Sequence, residues 1–200
     1  SFADFNGDDI DDLTFGHHAG QLRFYVGNNN PTSSGFQELT LNISNSQSEV
    51  KAVLWADIDN DGDQDFLVTN RNASNKLWRN DGNMQFFDIS DISGISTQED
   101  TKSYGASFGD YNNDGFLDLY ICNYHTNIDL STNELYQNNG DGTFTNVTVL
   151  AGVGNGFAQS FQSTFIDIDL DGHLDLHVIN DRVDYPNVFY KNNGDGSFTD

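Results

Sequence analysis

One acidic segment of nine residues occurs four times in this 200-residue chain, and that periodicity limits the fold more than any other feature. The copies read DFNGDDIDD (Asp4 to Asp12), DIDNDGDQD (Asp57 to Asp65), DYNNDGFLD (Asp110 to Asp118) and DIDLDGHLD (Asp167 to Asp175). The first aspartates are spaced by 53, 53 and 57 residues. An aromatic lies two positions before each one: Phe2, Trp55, Phe108 and Phe165. An apolar residue follows each last aspartate: Leu13, Phe66, Leu119 and Leu176. Further on comes a second signature, NKLWRNDG, NELYQNNGDGTF and NVFYKNNGDGSF, which degrades to LRFYVGNN in the first copy. A unit that recurs at this period cannot bury its apolar faces alone and must stack on its neighbours.

The segments between turn signals are short, rich in β-branched and aromatic residues, and roughly alternating, which reads as strands. Each repeat offers four: one before the acidic run (VLWAD in the second copy), one after it (DFLVTN), then NKLWRN and a short one around FFDIS. No segment has a helical period of useful length. Four antiparallel strands in about 50 residues is the size of a propeller blade. The fold class is therefore all-β: a β-propeller of four blades in a single domain, 1–200, with blades at about 1–49, 50–102, 103–160 and 161–200. Small residues suit the crowded first strand near the axis: Ala52, Ala56, Ala106, Ser107, Ser163 and Thr164. The aromatic before each acidic run is expected to wedge between blades.

Like charges a few Å apart repel, so the acidic runs need a reason. Calcium takes 6 to 8 oxygen ligands, and a short loop can wrap it with alternate residues. In the second copy Asp57, Asp59, Asp61 and Asp65 supply side-chain oxygens and Asp63 a backbone carbonyl, with Gly62 at the sharp turn. The others follow the same scheme: Asp4, Asn6, Asp8 and Asp12 with the Ile10 carbonyl; Asp110, Asn112, Asp114 and Asp118 with Phe116; Asp167, Asp169, Asp171 and Asp175 with His173. Solvated acidic turns would explain Asp and Gly in general, but not oxygen donors at alternate positions beside Phe, Ile, Tyr and Leu. The expected cofactor is Ca2+, about one ion per repeat. The first copy departs from the rest, because Asp9 stands where the others have the turn glycine.

The pattern D-x-[DN]-x-D-G-x-x-D, flanked by these strands and followed by NxLYxNNGDGTF, resembles the FG-GAP/VCBS repeats of the integrin α-subunit propeller and of many bacterial exported proteins. The resemblance covers essentially the whole chain. It implies calcium in the hairpin between the first two strands of a blade. It also implies an extracellular, secreted, cell-surface or periplasmic setting, and roles in adhesion, recognition or scaffolding. Family propellers have about seven blades. The expectation is a fragment of a larger ring, the alternatives being a ring of few blades or one completed by another chain.

Composition narrows the partners. A net charge of −23 with eight Lys and Arg argues against nucleic acid and anionic membrane surfaces. No stretch approaches the ~20 apolar residues of a membrane span. No signal peptide is visible, and Ser1 reads as a mature or truncated start. Cys122 is the single cysteine, so there is no internal disulfide. His17, His18, His125, His173 and His177 form no metal or catalytic motif, Glu is scarce, and no G-x-S-x-G elbow occurs. Catalysis within the chain is not expected. The repeated positions of Trp55, Trp78, Tyr136 and Tyr190 suggest core or blade contact before sugar binding. The expected function is a calcium-binding extracellular module acting in adhesion or protein recognition, or as a scaffold; its partner is a protein or glycan ligand of unknown identity. The alternatives are a lectin with pockets between blades, or the scaffold portion of a polysaccharide-active enzyme.

Overall fold

The computed structural model describes residues 1–30, 35–45, 48–95, 102–125 and 132–200. Four antiparallel sheets of four strands follow one another along the chain, each in meander order. The first holds β1(Phe2–Ala3), β2(Asp12–Gly16), β3(Leu22–Gly27) and β4(Phe36–Leu39). The second holds β5(Glu49–Ala56), β6(Asp65–Arg71), β7(Lys76–Asn80) and β8(Phe86–Asp88). The third holds β9(Ser103–Gly109), β10(Asp118–Asn123), β11(Glu134–Asn138) and β12(Phe144–Asn146). The fourth holds β13(Ser160–Ile166), β14(Asp175–Asn180), β15(Val188–Asn192) and β16(Phe198–Thr199). The molecule is an all-β propeller, and each sheet is a blade. Among the described residues one short helix, α1(Thr148–Ala151), was not expected from the sequence and closes on Gly152 in the left-handed conformation. No described helix is long and apolar enough to cross a membrane.

The core lies between the blades. Successive side chains of a strand point to opposite faces. Phe66 and Val68 of β6 therefore join Phe5, Phe24 and Trp78 between the first two blades. Leu67 points the other way and meets Leu119, Ile121 and Tyr136 of the third blade. Tyr120 and Cys122 of β10 in turn meet Leu176, Val178 and Tyr190 of the fourth. This sandwiching is why β10 is buried at every residue. Blade 4 has no neighbour on its outer face among the described residues: Ile179 is 40% exposed, whereas Cys122 at the equivalent position is 0% exposed.

The expected wedges form in three blades. Trp55 stacks on Phe5 and donates its indole N–H to Thr14 Oγ1 at 3.2 Å, crossing from blade 2 to blade 1. Phe108 and Phe165 pack against the clusters between the later blades. Phe2, by contrast, is 63% exposed. The first strands also approach closely: a Cβ on Gly105 would lie 2.3 Å from the Phe161 carbonyl oxygen.

An asparagine clamps each later blade to the one before. Asn80, Asn138 and Asn192, all buried, donate through Nδ2 to the carbonyls of Phe5 (3.5 Å), Ile58 (2.7 Å) and Tyr111 (2.8 Å) in the preceding hairpin. Asn138 also donates to the Leu117 carbonyl of its own blade. A buried polar group left unpaired costs about 1–3 kcal/mol. Asn138→Ala should therefore lower the unfolding free energy by about 2–3 kcal/mol in urea titration. A loss below about 0.5 kcal/mol, the range of ordinary surface changes, would remove the clamp from the account.

Candidate metal centres

Each acidic run is the hairpin from a blade's first strand to its second, and all four share one backbone frame. The first aspartate accepts loop N–H groups: Asp57 from Asp61 (3.2 Å) and Gly62 (3.0 Å), Asp110 from Asp114 (3.0 Å) and Gly115 (2.9 Å), Asp167 from Asp171 (3.1 Å) and Gly172 (3.0 Å). Asp4 does the same with Gly7, Asp8 and Asp9. The third acidic position of each loop accepts the N–H two residues on: Asp8 from Ile10, Asp61 from Asp63, Asp114 from Phe116 and Asp171 from His173. Short Asx bonds of this kind bend the chain into a concave loop with its carboxylates inside. Gly62, Gly115 and Gly172 take φ near +90° there, and Asp9 takes +65° in the first copy.

The last aspartate is different. Asp12, Asp65, Asp118 and Asp175 are completely buried. Each accepts one N–H from its own loop, from Phe5, Ile58, Tyr111 and Ile168, at 2.9–3.2 Å. Each accepts a second from the end of the third strand, from Gly27, Asn80, Asn138 and Asn192, at 2.7–2.8 Å. This carboxylate ties three strands together, a role the ligand scheme alone does not contain. Its invariance beside an apolar residue at the start of the second strand was the available signal.

In the second loop oxygens of Asp57, Asp59 and Asp61 lie within 4.8 Å of one another, and in the fourth so do those of Asp167, Asp169 and Asp175. The first and third loops carry Asn6 and Asn112 at the second ligand position. Asn6 turns its Nδ2 to Asp12, and Asn112 turns its Nδ2 to Asp114 Oδ2 at 2.8 Å. Asn6 Oδ1 and Asp59 Oδ1, the same position of two loops, are buried without a hydrogen-bond partner. In the fourth loop the Lys191 ammonium contacts Asp169 and stands 3.6 Å from Asp171. At the backbone-ligand position the side chains lie against glycines of the turn between third and fourth strands: Asp63 at Gly82, Phe116 at Gly140 and His173 at Gly194.

Burial pushes the Asp65 and Asp118 carboxyls up to about 7, against the backbone N–H bonds that hold them down, and nearby aspartates add to the rise. Burial also raises Asp59, with Asp61 pushing the same way, and raises Asp12. In the fourth loop the Lys191 ammonium lowers Asp169. The donor set is all oxygen, with buried acceptors left over and burial disfavouring the bare charge of Asp65 and Asp118, which fits a hard divalent cation.

The family model described as FG-GAP-like repeat matches residues 4–68, 57–121 and 123–178. The chain belongs to the FG-GAP-like repeat family. No curated protein matches it by sequence. Among solved structures, the FG-GAP-like chain is similar to one described as the crystal structure of BBS1N in complex with ARL6DN, soaked with lead. That similarity has a TM-score of 0.56 at 12% identity and covers 90% of this chain. The FG-GAP-like chain spans about half, 49%, of that one, and the likeness concerns the fold alone.

Other side chains of this FG-GAP-like protein singled out in its sequence lie as follows. Cys122 is buried and its thiol is pushed up to about 12. Trp78, Tyr136 and Tyr190 lie in the cores between blades. His17 and His18 pair their rings at 4.1 Å, and His177 faces Phe189. Burial lifts the Glu134 carboxyl above its ordinary range, with bonds from Tyr136 and Asn123 opposing. The folded state thus holds this proton more tightly than the unfolded chain does. Its stabilising contribution is full below the unfolded pKa and is lost as pH rises through the folded one. Glu134→Gln should raise the melting temperature at pH 7, and the gain should vanish near pH 4. An equal gain at both pH values would contradict this assignment.

Proposed function

We propose that this chain is a calcium-stabilised recognition module that works outside the cytosol and carries no catalysis of its own. The supporting observation is the pair of buried, unpartnered oxygens, Asn6 Oδ1 and Asp59 Oδ1, at the same ligand position of two hairpins. A divalent ion gives those oxygens a partner and offsets the neighbouring carboxylate charge that adds to the burial-driven rise of Asp65 and Asp118. In the second hairpin Asp57, Asp59, Asp61 and Asp65 would hold it with the Asp63 carbonyl, and the corresponding residues would do so in the others. In the fourth the ion must displace the Lys191 ammonium. The number of oxygens and the flexible loop favour calcium over magnesium, which demands a near-ideal octahedron. Modules of this kind bind calcium with a Kd of about 10⁻⁴–10⁻³ M, so an extracellular fluid fills them and cytosol does not.

Against catalysis stand the places of the perturbed groups. The raised Asp65 and Asp118 carboxyls are each engaged by two backbone N–H groups, and Cys122 is sealed between blades. Titration calorimetry of calcium into chelator-stripped protein tests the proposal. Uptake of one ion per acidic hairpin supports it, and a flat titration at millimolar calcium would sink it.

A further inference from the structure

The acidic hairpins sit at one end of the blades. At the other end, where first strands begin and second strands finish, equivalent positions differ from blade to blade. They hold Glu49, Lys102 and Gln159; Lys51, Tyr104 and Phe161; Arg71, Tyr124 and Asp181; Asn72, His125 and Arg182. The frame beneath them is constant: Asn70, Asn123 and Asn180 donate their backbone N–H to the side chains of Asn75, Asn133 and Asn187 at 2.9–3.1 Å. In each of these blades the pairing of first and second strands shifts register at this place, around Lys51, Tyr104 and Phe161. Bulges re-aim side chains and are frequent beside functional sites. A constant frame under variable residues is how a rigid scaffold presents a binding surface.

In blade 2 a single carboxylate holds both cations, with Glu49 2.7 Å from Lys51 and 3.3 Å from Arg71. In blades 3 and 4 they become an aromatic shelf. Tyr104, Tyr124 and Phe161 have ring centroids 4.8–5.2 Å apart, and the Lys51 ammonium lies 4.3 Å from the Tyr104 centroid. The shelf fixes Arg182: its Nη2 donates to Tyr124 Oη at 3.1 Å and its Nε to Gln159 Oε1 at 2.6 Å, while Tyr124 Oη donates to Asp181 at 2.7 Å. Beside the guanidinium opens a cleft of about 310 Å3, lined by His125, Phe157, Gln159, Arg182, Asp184 and Tyr185. Phe157 and Tyr185 are 53% and 41% exposed, rings kept in water without a core role.

We propose that this cleft binds a neutral pyranose sugar. The inference rests on the reading of the chain as a recognition module and names its ligand class. A pyranose has an apolar C–H face and a rim of hydroxyls. Phe157 and Tyr185 offer the first an apolar wall, and Arg182, Gln159 and Asp184 offer the second donors and acceptors. The volume stands at the small end for ligand pockets, which suits one or two sugar rings better than a peptide. Asp181 lies 3.7 Å from Arg182 and Asp184 lines the rim, so the guanidinium is balanced and the ligand is uncharged rather than anionic.

A glycan array probed with the intact chain in millimolar calcium, followed by calorimetry with the best-binding oligosaccharide, tests this. Neutral hexose glycans should bind, at least tenfold more weakly to Tyr185→Ala, Phe157→Ala and Arg182→Ala. All three variants should keep the calcium-induced rise in melting temperature, because the cleft lies at the far end of the blades from the hairpins. A blank array, binding that survives all three substitutions, or capture of deglycosylated protein in place of sugar overturns the proposal. Loss of the calcium effect in the unaltered chain counts instead against the metal reading.

Discussion

Calcium at about 10 mM should raise the melting temperature of the chelator-treated protein by more than about 10 °C. An ion that binds only the folded state stabilises it by RT ln(1 + [L]/Kd), about 1.4–2.7 kcal/mol per site at 10 to 100 times Kd. In a domain of this size each kcal/mol moves the melting temperature by about 2–4 °C. Hairpins that each take an ion therefore add to a shift well outside experimental error. The hairpins begin from an unfavourable state: Asp65 and Asp118 are lifted to about 7 by burial, and Asp59 is raised as well. A bound ion offsets the carboxylate repulsion that adds to this rise, and that relief is part of its affinity. Magnesium at the same concentration should give a smaller shift. Scanning calorimetry with calcium, magnesium and chelator decides the matter, and identical curves in calcium and chelator would end the metal assignment.

The second large effect separates the two jobs of the acidic residues. Asp118 is buried and accepts the Tyr111 and Asn138 N–H groups. Asp118→Ala strands both donors at about 1–3 kcal/mol each, a total of about 2–6 kcal/mol that is lost even in chelator. Asp118→Asn keeps one acceptor oxygen and should lose about half as much. Asp114 is exposed, and its bonds to Phe116 and Asn112 stay within the loop. Asp114→Ala should barely change the melting temperature in chelator, yet it should remove that hairpin's share of the calcium shift. Equal melting losses for Asp118→Ala and Asp114→Ala in chelator would show that the buried carboxylate does not anchor the third strand.

The repeat was legible because a stacked blade must solve the same problem each time. Aromatics before the loops, apolar residues after them and oxygen donors at alternate positions recur wherever the backbone recurs. Trp55 crossing to Thr14 and Leu67 meeting Leu119 are direct consequences of that pattern. The first copy strayed from the pattern at Asp9, and there the structure takes a smaller positive φ than at the glycines. Phe2 did not become a wedge, since wedging needs a facing blade and not only the right residue. Helix α1 was missed because four residues of Thr-Val-Leu-Ala carry no readable period. The second role of Asp12, Asp65, Asp118 and Asp175 was also hidden. Spacing reveals that an oxygen is present, not which distant N–H it will meet.

Local chemistry alone therefore determined the blade count, the strand order within a blade and the positions of the acidic hairpins, because these depend on turn residues and side-chain alternation within about 50 residues. Tertiary structure decided the rest. Only the stacking of sheets seals the last carboxylates from water, carries Asn138 to the Ile58 carbonyl, and gathers Tyr104, Tyr124 and Phe161 from two blades into the shelf beside the Arg182 cleft. Those contacts join residues up to 80 positions apart, and a short-range code cannot specify partners that only the stacked blades bring within reach.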